Sequence, residues 1–181
     1  MGIKTHRANA PKKIRLGILS ISTTRTLEND KSGHWIAKRA KKEGHTISFH
    51  QVVTDDLQII RTAVENGIKE QQPQAIILTG GTGISPRDVT IEAVRPLFKK
   101  ELSSFGPIFA GLSYEQIDSA AILSRATAGI IGQTLLFCIP GSLNACKLAC
   151  KTLIFPEIGH LVWHLQESGQ NPSHETLNTG F

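Results

Sequence analysis

Ala75-Ile76-Ile77-Leu78-Thr79-Gly80-Gly81-Thr82-Gly83 joins an unbroken apolar run to a loop rich in glycine. A run of this length bounded by turn residues fits a strand buried on both faces, as in a parallel sheet. The glycines free the backbone to turn sharply where that strand ends. Ligands of open parallel sheets sit beyond the carboxyl ends of the strands, so one stretch indicates both a fold class and a place for chemistry.

Working upstream, residues 14–21 (IRLGILSI) read as another buried strand, and residues 32–43 place Ile36, Ala37 and Ala40 at helical spacing. Gly44 then suits the position just past a helix end. Residues 45–53 are rich in β-branched residues and predict a strand closed by Asp55 and Asp56. From Leu57 onward, Ile60, Ala63, Val64, Gly67 and Ile68 share a helical face.

Downstream, Ser85-Pro86 predicts a helix running through Leu97, because proline suits the first turn and Ser85 can cap it. Residues 107–117 predict another helix. Residues 128–132 and 134–139 predict two strands around a tight turn, and Pro140-Gly141-Ser142 leads into a helix over 144–153. Pro156 predicts a break before a last helix at 157–166.

Alternating strands and helices imply right-handed crossovers. The expected fold is therefore α/β, with three layers: a mostly parallel, doubly wound sheet carrying helices on both faces. The expected organisation is a flexible basic arm at 1–13, a single domain at 14–166 and a polar tail at 167–181.

Composition narrows the function. At 181 residues, 40% apolar and 19% charged, the chain suits one folded domain rather than a disordered segment. No apolar run reaches the roughly 18 residues of a membrane span, and the start MGIKTHRANAPKKIR lacks the apolar middle of a secretory signal, so a cytoplasmic protein is expected. Cys138, Cys146 and Cys150 are an odd number and make no disulfide framework.

The net charge of +5, with Lys4, Arg7, Lys12, Lys13 and Arg15 clustered near the start, suits an anionic substrate. Nucleic acid is not expected, because aromatics are 6% and no nucleic-acid-binding signature separates the basic residues.

The glycine loop can curl its N–H groups around a phosphate or carboxylate. It is neither a P-loop nor a G-x-G-x-x-G fingerprint, and it can equally serve as a plain strand-to-helix turn. Asp88 lies in the first turn of the expected helix, where it either shares a bridging Mg²⁺ with a bound phosphate or completes a cap with Ser85. Asp55 and Asp56 belong to the same carboxyl edge, although one of them can cap the following helix. Cys146, Cys150, His160 and His164 have i, i+4 spacing open to zinc, but cysteine on an apolar helical face favours core packing.

Asp30-Lys31-Ser32-Gly33, Thr79-Gly80-Gly81-Thr82-Gly83, Arg87-Asp88-Val89-Thr90, Ser124-Arg125-Ala126 and Pro140-Gly141-Ser142 together resemble the MogA/MoaB family of molybdopterin-binding proteins. The resemblance spans about residues 14–164, and LLFCIPGSLNACKLA is most like the MoaB branch. It implies adenylyl transfer from ATP to the terminal phosphate of molybdopterin with Mg²⁺, in a homo-oligomer of three or six chains.

The same resemblance implies that Asp55 and Asp88 are the catalytic and metal-binding pair. Thr79, Gly80, Gly81, Thr82 and Gly83 would cradle phosphate, while Ser113, Pro140, Gly141 and Ser142 would help line the pocket. Some MoaB proteins lack the Asp55 equivalent and are read as inactive, whereas this chain retains both acids. Leu143 and Asn144 follow Gly141-Ser142 where many such enzymes carry a P-G-x-P turn. The alternatives are a non-catalytic carrier or scaffold of the same family, and a CinA-like nucleotide hydrolase.

Overall fold

The computed structural model describes the backbone of residues 10–170 and the side chains of residues 10–166. Six strands form one sheet: β1 (Arg15–Ile21), β2 (Thr46–Val53), β3 (Ala75–Thr79), β4 (Lys100–Glu101), β5 (Thr127–Ile131) and β6 (Thr134–Ile139). Their order is β2-β1-β3-β6-β5-β4. The pairings of β1 with β2, β1 with β3, and β3 with β6 are parallel, while β5 runs antiparallel to both β6 and β4. The expected mostly parallel α/β sheet is present.

Alternation along each central strand divides the core into two layers. Leu16 and Ile18 of β1, Ala75 and Ile77 of β3, and Leu135, Phe137 and Ile139 of β6 face one side. There they meet α1 (Lys31–Lys42), α4 (Phe105–Ile117), α5 (Leu143–Ala149) and α6 (Phe155–Gln170). Leu19, Ile21, Ile76, Leu78, Leu136 and Cys138 face the other side, against α2 (Leu57–Gln71) and α3 (Thr90–Val94). Phe49 wedges between β1 and α2, where a Cβ on Gly17 or Gly67 would come within 2.3 or 2.8 Å of its ring.

Three local expectations need correction. Ser85 and Pro86 do not open a helix: residues 85–88 form a turn, the helix begins at Thr90, and it passes into a 3-10 turn at Arg95–Leu97. The carboxylate of Asp88 accepts from the Ser85 amide at 2.8 Å, and this favours the turn over helical continuation. Pro156 does not break the last helix. α5, a π-helical segment at Cys150–Ile154 and α6 follow one another directly, and the widened turn accommodates the N–H that proline lacks. That rod continues to Gln170, the last residue described, past the expected end at 166.

β4 and a 3-10 segment at Asp118–Leu123 carry no legible sequence signal, being a two-residue edge strand and a short irregular turn. The expected flexible arm and polar tail lie mostly outside the described residues. Within them, Pro11 lies against α6, where a Cβ on Gly159 would be 2.7 Å from the Pro11 carbonyl.

Candidate functional site

β1 leads by α1 to β2 on one side, and β2 leads by α2 to β3 on the other, so the chain reverses direction across the sheet between β1 and β3. Such a reversal opens a crevice at the carboxyl ends of the two strands. A cavity of about 250 Å³ lies there, lined by Ser22, Arg25, Asp55, the glycine loop, Asp88 and Gly141, among others. Two larger hollows, of about 410 and 490 Å³, lie against α2 and beside Arg15 and Gln74, and neither gathers more than one acidic side chain.

Gly80 and Gly81 have φ of 102° and 61°, conformations that a side chain disfavours. A Cβ on Gly80 would sit 2.3 Å from the Ile21 carbonyl, and one on Gly81 would sit 2.4 Å from Thr90 Oγ1. The glycines therefore let the loop pass directly between the end of β1 and the start of α3.

Each carbonyl of that loop has a protein donor. Thr90 Oγ1 donates to the Gly80 carbonyl at 2.8 Å, and the Thr90 amide donates to that of Gly81 at 2.9 Å. Arg125 Nε donates to the carbonyls of Thr82 and Gly83, both at 2.9 Å. Within one trans peptide plane the C=O and the following N–H point in opposite directions. The N–H groups of Gly81, Thr82, Gly83 and Ile84 consequently point away from these donors, and among the described residues none of them is claimed by an acceptor. Successive unclaimed amides on a tight loop make an anion-binding concavity.

The two neighbouring aspartates at the end of β2 divide their roles. Asp56 caps α2 by accepting from the Ile59 amide at 2.9 Å. Asp55 lines the cavity, half-buried, with Oδ1 3.3 Å from where a Gly81 Cβ would stand. Asp88 lines it too, one of its oxygens held by the Ser85 amide.

Among the described residues no three His, Cys, Asp or Glu side chains gather to hold a metal by themselves. Two carboxylates beside such unclaimed amides nevertheless fit Mg²⁺, which binds through one or two carboxylates together with ligand oxygens and water. The zinc-like spacing is not realised. Cys146 is buried beside Thr79 Oγ1 at 3.1 Å, burial pushes its thiol pKa up, and His160 instead meets His164.

Thr79 does not reach the cavity; its hydroxyl turns inward to the Pro140 carbonyl at 3.2 Å. Pro140 and Gly141 do line it, whereas Ser113 and Ser142 line a smaller adjoining hollow of about 80 Å³ that shares Ser124 and Pro140. Ser142 also caps α5 through the Ala145 amide.

Sequence reasoning missed Arg25, Ser22 and Ser124. Arg25 brings a cation to the cavity and donates to the Gly141 carbonyl at 3.2 Å, and its own amide is braced by Ser22 Oγ. For Ser22 and Arg25 the signal was available: they follow the carboxyl end of β1 as the glycine loop follows β3, whereas Ser124 precedes β5.

The rim at Gly141 rests on a buried acid. Asp30 caps α1 through the Gly33 amide and accepts from Ser20 Oγ, with His50 Nε2 2.8 Å away. Burial alone would raise its pKa, but the hydrogen bonds from His50, Ser20 and Gly33 outweigh it and hold the carboxyl at about 2. Two residues on, Ser32 Oγ donates to the Gly141 carbonyl at 3.0 Å and so ties this anchor to the cavity rim.

Residues 17–160 match the family described as "Probable molybdopterin binding domain". The chain is 46% identical to molybdenum cofactor biosynthesis protein B of Bacillus subtilis over 168 residues, covering 92% of this chain and 99% of that protein. A crystal structure of a molybdenum cofactor biosynthesis protein B superposes with a TM-score of 0.84 at 44% identity, covering 88% of this chain and 99% of the other. The tungsten cofactor synthesizing protein MoaB from Pyrococcus furiosus superposes with a TM-score of 0.78 at 38% identity, covering 87% and 99%.

Proposed function

The chain belongs to the molybdopterin-binding domain family, and from that premise we propose that it is the adenylyltransferase of molybdenum cofactor biosynthesis, acting on molybdopterin and ATP. The observation that carries the reading is the set of unclaimed amides from Gly81 to Ile84 beside Asp55, Asp88 and Arg25 in one crevice.

In the proposed reaction an oxygen of the terminal phosphate of molybdopterin attacks the α-phosphorus of ATP. A new P–O bond forms, the bond to the α–β bridging oxygen breaks, and pyrophosphate leaves with that electron pair. The chain supplies no covalent nucleophile. Its amides and Arg25 hold the phosphates and offset the charge that builds on their oxygens, which is where most catalysis of such transfers arises. Mg²⁺ held by Asp55 and Asp88 would neutralise phosphate charge and ease departure of the pyrophosphate. The half-buried setting of the two acids suits this use, because such carboxylates stay open to a ligand.

The chain is also proposed to form a homo-oligomer of three or six copies. Ile117, Ile122 and Leu123 are 48%, 86% and 53% exposed, at the end of α4 and in the 3-10 segment that follows it. Apolar side chains gathered in this way commonly mark an association surface. Light scattering at micromolar concentration tests it, and a monomer would refute it.

The decisive assay combines molybdopterin, ATP and Mg²⁺ and follows pyrophosphate release together with formation of adenylyl-molybdopterin. Binding of molybdopterin without pyrophosphate release would make the protein a carrier. Nucleotide hydrolysis without molybdopterin would make it a CinA-like hydrolase.

A further inference from the structure

Two residues orient the glycine loop, and they come from different parts of the chain. Thr90 belongs to the segment into which the loop runs, and it fixes the carbonyls of Gly80 and Gly81. Arg125 lies 42 residues beyond Gly83, between the 3-10 segment and β5, and it fixes those of Thr82 and Gly83. Its Nη2 also donates to the Asp88 carbonyl at 3.2 Å, which ties the catalytic-acid turn to the same group. Nη1 meets Glu92 Oε1 at 2.6 Å, and this pairing holds the carboxyl of Glu92 below its usual range and sets the plane of the guanidinium.

Arg125 does not line the cavity, although its neighbour Ser124 does. The guanidinium stands behind the loop, with the peptide dipoles between it and the crevice, their oxygens toward the cation and their N–H groups away from it. Hydrogen bonds in series polarise one another, so a cation on the carbonyl side strengthens the amides as donors on the other side. The guanidinium shares its Nε–H between the Thr82 and Gly83 carbonyls while Nη2 and Nη1 reach the Asp88 carbonyl and Glu92, and lysine brings equal charge without that planar set of donors.

We propose that Arg125 is a positioning residue that aims and polarises the Gly83 and Ile84 amides at a bound phosphate, an inference that rests on reading the crevice as a phosphate site. It acts through the loop and touches neither substrate nor metal. Glu92 serves it by fixing its orientation.

The test uses the full-length protein, inorganic pyrophosphate as probe, calorimetry for affinity and amide NMR for the loop. Wild-type protein should bind the probe and shift the Gly81 to Ile84 amide resonances. R125A and R125K should each bind it roughly tenfold to a hundredfold more weakly, since bonds to charged groups are strong and the planar set of donors is lost in both. Free guanidinium, well below denaturing concentration, should restore binding to R125A and leave R125K unchanged. If R125A fails to fold, R125K carries the comparison.

Wild-type affinity in folded R125K would overturn the proposal, as would a folded R125A that guanidinium cannot rescue. Absence of pyrophosphate binding in the wild-type protein would instead refute the phosphate reading of the crevice, and this proposal with it.

Discussion

Asp30, buried behind the rim of the crevice, and the pair Asp55 and Asp88 that line it are acids built in opposite ways. Asp30 is fully buried and engages a histidine, a serine and a backbone amide. Asp55 and Asp88 are half-buried and border the cavity. A carboxylate whose lone pairs are spent on the fold can only support a wall, whereas one left facing a cavity can exchange water for a phosphate-bound ion. Where the hydrogen bonds go, rather than the residue type, separates scaffold from chemistry.

The largest expected effect tests the open side. Asp88→Asn should retain the acceptor for the Ser85 amide while losing the charge, and should lower adenylyl transfer by about 100- to 1000-fold, as removal of a transition-state electrostatic contact does. Its thermal midpoint should stay close to wild type. A matching loss of stability would erase the distinction between the two kinds of acid.

On the closed side, Asp30→Ala should leave Ser20, His50 and the Gly33 amide without their shared acceptor, costing about 3 to 5 kcal/mol in denaturant unfolding. Asp30→Asn isolates the charge at that same position. Because the folded pKa of Asp30, about 2, lies below the ordinary aspartate value of 3.8, its stabilisation is complete above that value and lost as pH falls toward 2. The shift corresponds to about 2 kcal/mol. Wild-type stability should therefore decline between about pH 4 and pH 2 by that much more than Asp30→Asn does, read from urea midpoints along the pH series. Parallel profiles would show that Asp30 is not the group responsible.

The smallest effect sharpens the contrast within a single dipeptide. Asp56→Ala should lose a helix cap and about 1 kcal/mol of stability while transfer continues. Asp55→Asn should do the reverse, and exchanged outcomes would assign the catalytic role to the wrong neighbour.

Much of this was readable along the chain. The apolar runs at β1 and β3, the helical spacing of Ile36 and Ala40, and Gly44 with φ of 89° follow from period and local sterics. The turn at Ser85 to Asp88 was misread because a proline after a serine signals a helix start, while the competing bond from the Ser85 amide to Asp88 has no signature of its own. Pro156 was misread for a related reason: proline reports a missing donor, and a π-helical widening that tolerates the loss is set by how the rod packs across the sheet.

The α/β alternation, the glycines that a tight loop demands and the supply of acids near strand ends came from the sequence alone, because each depends on neighbours a few bonds away. Which of Asp55 and Asp56 faces the crevice, that Thr79 turns inward, and that Arg25 reaches Gly141 while Arg125 reaches the glycine loop were decided only by the tertiary structure. Those contacts depend on strand order and on the direction each carbonyl is pulled, and neither is encoded in local spacing.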